Sequence, residues 1–239
     1  MIGIFQQYTI RWTEIEKEEY PQRLASIARA PAYLYYQGNI QVINQKRNIA
    51  VVGSRHISEK GIKMAYQIGY ALGKRGINVV NGLALGCDTH ALHGALAAGG
   101  TCVAVMPCGL DRIVPYSNWD LARKILLNGG CLVSEYLPSI PAQKYQYVQR
   151  DRLQSGMSDG VLVIEAAYDS GTMYTVRYAI NQGRRLACIA SHLVSYPSGN
   201  QRIEGLSGAY VIEDTADLDS FITDLHKEIF YRQIMFTIE

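Results

Sequence analysis

The residues of this chain best suited to chemistry stand in three turns, each leaving an apolar run and opening a helical pattern. The first is Gly53-Ser54-Arg55, at the end of Ile49–Val52. A buried strand that stops at a glycine can turn tightly, and the next helix aims its unpaired N–H groups and positive dipole end at whatever lies above the strand. Arg55 adds a planar guanidinium suited to phosphate. The second turn, Gly82-Leu83-Ala84-Leu85-Gly86-Cys87-Asp88, puts Asp88 where it can cap the following helix. In the third, Glu165-Ala166-Ala167-Tyr168-Asp169-Ser170-Gly171-Thr172, an apolar run ends in a carboxylate and a helix opens with Ser170-Gly171-Thr172. Together the turns predict a concave site for phosphate or sugar, with Gly82, Gly86, Asp88 and Glu165 as its support. The alternative is a set of turns that only pack. The first turn has neither the Gly-x-Gly-x-x-Gly dinucleotide spacing nor a Walker lysine.

A fourth stretch, Pro141–Arg152, carries Lys144, Tyr145, Tyr147, Arg150, Asp151 and Arg152 and is expected to be a loop. Rings interleaved with cations suit single-stranded nucleic acid, because stacking tolerates any base while cations follow the backbone. Arg150 and Arg152 have a second reading, as structural partners of a carboxylate such as Glu165. His90 and His93 stand three apart on a helical pattern with no third ligand nearby, so no metal is expected. No serine or cysteine has a base partner in sequence and there is no nucleophile elbow, so neither a catalytic triad nor a cofactor is expected. The cysteines stand singly, without a Cys-x-x-Cys pair, and read as reduced thiols of a cytoplasmic protein.

These residues need a frame to position them. At 239 residues, 48% hydrophobic and 18% charged, the composition is that of a globular domain with one large core. The balance of 23 Lys+Arg against 21 Asp+Glu creates no strong overall field, so a nucleic-acid partner must be held by a local patch. No signal-like start and no window of membrane-span length is present, and no membrane partner is expected. From Ile49 onward strands alternate with helices. Strands are expected at Ile49–Val52, Ile77–Asn81, Thr101–Met106, Cys131–Ser134, Gly160–Glu165, Arg185–Ala190 and Ala209–Ile212. Helices are expected at Ser58–Arg75, from the second turn to Ala98, near Trp119–Leu127, at Thr172–Gln182 and at Thr215–Lys227. Alternation of this kind implies an α/β fold with right-handed crossovers and a mainly parallel, doubly wound sheet. Residues 1–48 read differently, as an extension packed on a core of residues 49–239. In it, Met1–Tyr8 is a short apolar start, Glu14–Glu19 a charged helical face, Gln22–Ala30 a helix, Ala32–Gly38 a strand and Asn39–Asn48 a polar connection. The last helix carries Leu218, Phe221, Ile222, Leu225, Ile229 and Phe230, apolar enough to bury against its own sheet or a second subunit.

Taken in series, these segments resemble the DprA/Smf family of DNA-processing proteins. The resemblance rests on Tyr20-Pro21 with Pro31 and Leu34–Gly38, on Val51–Arg55, on Gly82–Asp88 with His93, and on Gly99-Gly100-Thr101 through Asp111. It continues through Pro115–Asn118, Leu132–Glu135, Arg150–Ser158, Val163–Ala166 with Ser170–Thr172, and Gly183-Arg184. The family implies an extended Rossmann-like domain that binds single-stranded DNA and forms homodimers. It further implies help in loading the RecA recombinase onto incoming strands in natural transformation, without chemistry of its own. By position, Arg55 would hold a DNA phosphate on the turn made by Gly53 and Ser54. Tyr147 stands where the family usually has phenylalanine and would stack on or wedge against a base, Arg150 and Arg152 match its paired arginines, and Ser170, Gly171 and Thr172 match its Ser-Gly-Ser helix start. The family's Phe-Pro-x-Arg-Asn-Arg reads Tyr147-Val148-Gln149-Arg150-Asp151-Arg152 here, so Asp151 puts a negative charge beside the expected DNA path. The winged-helix region and full N-terminal helical domain of many relatives are not matched, which implies a reduced or specialised member.

Two other functions use the same features. The glycine-rich crest could bind a small nucleotide as a sensor, or act as a nucleoside-phosphate hydrolase like the lysine-decarboxylase-like enzymes, in a defence or mobile-element setting. Those enzymes carry Pro-Gly-Gly-x-Gly-Thr, and the corresponding Glu165–Thr172 has no double glycine, which disfavours hydrolysis. A pure interaction scaffold fits the convergent glycine turns least well.

Overall fold

The buried run Ile49-Ala50-Val51-Val52 sets the centre of the molecule. A strand that is apolar on both faces must lie in a sheet covered by helices on both sides. The computed structural model describes residues 8–226 and has that arrangement. Its elements begin with β1 (Arg11–Glu14), α1 (Gln22–Ala25), β2 (Tyr33–Gly38), α2 (Gln41–Gln45), β3 (Asn48–Val52) and α3 (Glu59–Lys74). They continue with β4 (Asn78–Asn81), α4 (Cys87–Ala97), β5 (Cys102–Val105), α5 (Trp119–Leu127), β6 (Cys131–Ser134) and α6 (Lys144–Gly156). The remainder is β7 (Gly160–Val163), α7 (Thr172–Asn181), β8 (Arg185–Ile189), α8 (Ser198–Glu204), β9 (Tyr210–Ile212) and α9 (Thr215–Thr223).

Among the described residues the strands form one nine-stranded sheet in the order β1-β2-β6-β5-β4-β3-β7-β8-β9. All pairs from β6 to β9 are parallel, whereas β1 and β2 join antiparallel at one edge. This is the mainly parallel, doubly wound, Rossmann-like sheet expected from the alternation. From β3 the chain works outward through β4, β5 and β6, then crosses back to lay β7 against the other side of β3. The order therefore reverses between β3 and β7, and in open α/β sheets ligands bind beyond the strand ends at such a switch point.

Strand alternation sends the core into two layers. Ile49 and Val51 pack with Ala65, Ile68 and Leu72 of α3 and with Ala91 and Leu92 of α4. Ala50 and Val52 pack on the other face with Leu153 of α6, Met157 just past its end, and Val176 and Ala179 of α7. In α9, Leu218 and Phe221, followed by Leu225, join the first layer, so the last helix buries against its own sheet. Ile229, Phe230 and Lys227 lie outside the described residues, as does Met1–Gln7 of the apolar start. All five cysteines are free and buried, which pushes the Cys108 thiol up to about 11 and Cys188 to about 12. No described helix is long and apolar enough to cross a membrane.

The N-terminal segment and the basic stretch depart from the sequence reading. The charged run Glu14–Glu19 is not a helix. Glu14 ends β1, and the following turns are closed by Lys17 N–H to Glu14 O (2.9 Å) and Tyr20 N–H to Lys17 O (3.0 Å). Pairing of Trp12 with Tyr35 and Glu14 with Tyr33 outweighs a weak local preference. The helix expected over Gln22–Ala30 stops at Ala25. Arg29 has φ +64°, Ala30 precedes a proline that disfavours helical backbone, and the Tyr20 hydroxyl donates to Pro31 O (2.7 Å). Asn39–Asn48 holds the short helix α2, with Val42 and Ile43 buried. The largest correction is Pro141–Arg152, expected as a loop: from Lys144 it is α6, whose buried stripe includes Gln146, Arg150, Leu153 and Gln154. An inward stripe this polar gives no hydrophobic period to read.

Helices α3 and α4 approach closely because Gly69 lies against the Ala91 backbone and Gly94 against the Tyr66 carbonyl. A methyl at Gly94 would overlap that carbonyl. Alanine in place of glycine gains about 1 kcal/mol in helix propensity, whereas overpacking costs typically about 1–3 kcal/mol. Gly94→Ala is therefore expected to lower stability on balance, measured as a reduced urea midpoint at unchanged slope.

Candidate nucleic-acid interface

A cleft of about 370 Å³ opens at the switch point, lined by residues of the β3 turn, the start of α4, α6 and the start of α7. Its floor begins where Val52 ends β3 and the chain turns through Gly53 and Ser54. The Ser54 amide donates to Glu165 O (2.8 Å), which joins this turn to the one that follows β7. Ser54 Oγ accepts from the His56 amide (3.0 Å), and Ser54 O accepts from the Cys87 amide (3.1 Å). Gly86, at φ +75°, lies flat on the carbonyls of Ser54 and Arg55, where a side chain could not fit.

Behind the floor Glu165 is fully buried. Its Oε2 accepts from the Ser58 amide (2.7 Å), and its Oε1 accepts from Ser58 Oγ (2.9 Å) and the Ser195 and Tyr196 amides (2.8 and 2.9 Å). Ser58 Oγ in turn caps α3 by accepting from Gly61 N–H (3.0 Å). Glu165 thus organises the origin of α3 and is not the arginine partner considered from sequence.

The second turn is organised by Asp88, which does not cap its own helix as expected. Its Oδ2 accepts from the amides of Gly82 (2.8 Å) and Ala84 (3.2 Å), and the N-cap position of α4 is Gly86. Asn118 completes the turn by donating to Leu83 O and Thr89 Oγ1, each at 2.8 Å. Burial pushes the Asp88 carboxyl up to about 6, opposed by Arg150, the two amides and Arg55.

Helix α6 forms the opposite wall. Arg55 is exposed and its guanidinium carbon lies 4.9 Å from the centre of the Tyr147 ring. One turn on, Arg150 is only 4% exposed; it donates to the Val105 carbonyl, bonds Asp151 Oδ1 at 3.2 Å and occupies the space against Gly82 where a Cβ would stand. Asp151 Oδ1 also accepts from Gln154 Nε2 (2.7 Å). Burial pushes Asp151 up to about 6 as well, with Arg150 opposing and Asp88 adding to the rise. The negative charge feared for the cleft is thus partly absorbed by Arg150, and two carboxyls are poised to gain a proton in mild acid.

Of the residues singled out from sequence, the cleft brings together Gly53, Ser54, Arg55, Asp88, Tyr147, Arg150, Ser170, Gly171 and Thr172. Gly82, Gly86 and Glu165 stand behind its walls. Arg152 does not line it: its Nη1 and Nη2 grip Glu135 at 2.8 and 2.6 Å. Lys144 is exposed at the start of α6 and does not line the cleft either. Sequence reasoning missed His56, Ala84, Val148, Gln154 and Thr175 as lining residues. Gln154 and Thr175 had a usable signal, since Tyr147, Arg150 and Gln154 fall at helical spacing, as do Thr172 and Thr175. A loop reading of residues 141–152 concealed it.

Comparison with known proteins agrees with the fold and the motif series. The family model of DNA recombination-mediator protein A matches residues 11–223. Protein Smf of Escherichia coli is 36% identical over 190 residues, which cover 80% of this chain and 49% of that protein, so the chain spans about half the length of this relative. The X-ray structure of DNA processing protein A from Streptococcus pneumoniae is similar with a TM-score of 0.78 at 31% identity, covering 95% of this chain and 77% of that one. A structure of DNA processing protein A from Helicobacter pylori, described for its single-stranded DNA binding mode, gives a TM-score of 0.79 at 26% identity, covering 93% and 98%. With the fold, the switch-point cleft and the ordered motifs in agreement, the chain belongs to the DNA recombination-mediator protein A family, that of the DprA and Smf DNA-processing proteins.

Proposed function

We propose that the switch-point cleft holds single-stranded DNA, with Arg55 on a backbone phosphate and Tyr147 against a base. The observation that carries this reading is the pairing of Arg55 with Tyr147 at 4.9 Å on the rim of the cleft. A weakly hydrated guanidinium and an aromatic face side by side match the two repeating chemistries of a single strand, its phosphates and its unstacked bases. Ser170, Gly171 and Thr172 place the positive end of α7 on the same cleft, which favours a second phosphate. Arg150, buried and engaged, acts by balancing Asp88 and Asp151 and by supporting the wall. Gly53, Ser54, Gly82, Gly86, Asp88 and Glu165 hold the floor and walls in shape, while Lys144 stands exposed outside the cleft and Arg152, paired with Glu135, is a structural cation that makes no phosphate contact. The protein acts in the cytoplasm as a homodimer, without a catalytic step, protecting incoming strands and helping load RecA recombinase in natural transformation. Residues 1–48 serve as an extension of a core formed by residues 49–239.

A second reading has one observation in its favour: a cleft of about 370 Å³ is of the size that encloses small ligands. A nucleotide sensor would show a rise in melting temperature with mononucleotides at micromolar concentration.

Fluorescence anisotropy with a labelled oligonucleotide tests the main proposal. Binding should prefer single over double strands and weaken with salt. Arg55→Ala should bind less tightly and lose about 0.7 from the slope of log affinity against log salt, as one phosphate contact requires. Arg152→Gln should leave that slope unchanged. No binding by the wild-type protein at low salt would end the proposal. The same titration carries a pH dependence. Asp88 and Asp151, each pushed up to about 6, are charged at pH 7.5 and largely neutral at pH 5, so the cleft becomes more positive and affinity should rise several-fold as pH falls through 6. In Asp151→Asn the affinity at pH 7.5 should be higher and its rise on acidification smaller.

A further inference from the structure

Beside the main cleft lies a smaller one of about 170 Å³, between the loop after β7, the first turns of α7 and Arg202 of α8. The two share Ser170. Two tyrosines line the smaller cleft, Tyr168 at 52% exposure and Tyr174 at 41%. Each carries a guanidinium on its ring: Arg202 stands 4.4 Å from the centre of Tyr168, and Arg177 stands 5.5 Å from the centre of Tyr174. The loop is held in place, since the Tyr168 amide donates to Ser198 Oγ (2.9 Å) and Ser170 Oγ donates to Ala167 O (2.7 Å).

This chemistry repeats that of Arg55 and Tyr147 on the other side of α7. A cavity of roughly 150 Å³ accepts one benzene ring, so the space suits a single planar ring and not a folded chain. Rings that large and that exposed, with cations stacked on them, make a platform for a base whose phosphate meets an arginine. The carboxylate of Asp169, also on the lining, only accepts hydrogen bonds when ionised; it faces the amino or imino edge of a base better than a phosphate. The two clefts meet at Ser170, so an occupant of both must pass over that residue.

We infer that the Tyr168–Tyr174 cleft is a second base-binding subsite for the strand held at Arg55 and Tyr147, reached over Ser170. The inference rests on the strand-binding reading above, and the test separates the two. Labelled oligothymidylates of about 4 and about 16 nucleotides span the footprints typical of single-strand-binding modules. They are titrated against the wild-type chain, the Tyr168→Ala/Tyr174→Ala double variant and the Tyr168→Phe/Tyr174→Phe double variant. Both tyrosines are on the surface, and equal melting temperatures check that the variants are folded. Loss of stacking should weaken binding of the longer strand by at least about 5-fold in the alanine variant. The shorter strand should bind as tightly as it does to wild type, and the phenylalanine variant should retain the long-strand affinity. If the wild-type chain binds neither strand, the strand-binding reading fails and this subsite fails with it. If the wild type binds while the alanine variant holds the longer strand equally well, the subsite alone is overturned. An equal deficit on both strands, or a phenylalanine variant as weak as the alanine one, overturns it too.

Discussion

The buried carboxylate of Glu165 is the interaction on which the rest of the cleft depends. It stands just past the end of β7, has no exposure, and receives four hydrogen bonds from Ser58, Ser195 and Tyr196. Those donors come from the start of α3 and from the segment between β8 and α8, two regions far apart in sequence. A carboxylate in the interior is tolerable only when its lone pairs are satisfied, so the four bonds and the buried charge impose each other. Through the bond from the Ser54 amide to Glu165 O, the same residue also sets the distance between the β3 and β7 turns. The cleft is therefore the space left when two strand ends at a switch point are held at a fixed separation.

A second constraint is electrostatic. Arg150 is buried between Asp88 and Asp151, in a wall where an unpaired guanidinium would be costly. Its bond to Val105 O anchors α6 over the end of β5, Asp151 on the same helix steadies the guanidinium, and the absence of a side chain at Gly82 makes room for it. The positive charge exposed to a ligand is consequently that of Arg55, steadied on Tyr147. The wall that carries the family's paired arginines is thus largely a supporting wall here, with Arg152 locked on Glu135 outside the cleft.

The β3–α3 unit was the most legible part of the chain. Ile49–Val52 reads as a fully buried strand, Ser58 as a cap, and Gly76 as a helix end, and the structure has each of them. Three glycine turns pointed to one edge for the same reason: in a parallel sheet every strand delivers its carboxyl end, and the helix that follows, to the same side. Helix α6 was illegible because most of the residues it buries, among them Gln146, Arg150 and Gln154, are polar, and polarity normally marks the outside. The first strand was equally hidden, since its pairing with β2 is a long-range contact with no local signature.

The amino-acid sequence by itself therefore determined the elements whose burial is apolar and periodic, the sheet edge on which the three glycine turns gather, and the family. Those properties depend on residues near one another in the chain and on the general geometry of parallel sheets. Partnership was decided only by the tertiary structure. It gave Glu165 to Ser58, Arg152 to Glu135 and Arg150 to Val105 and Asp151, and it set the ring of Tyr147 beneath Arg55. A charged side chain takes the partner that folding brings within hydrogen-bonding reach, and that choice follows from strand order and helix placement, which no local spacing encodes.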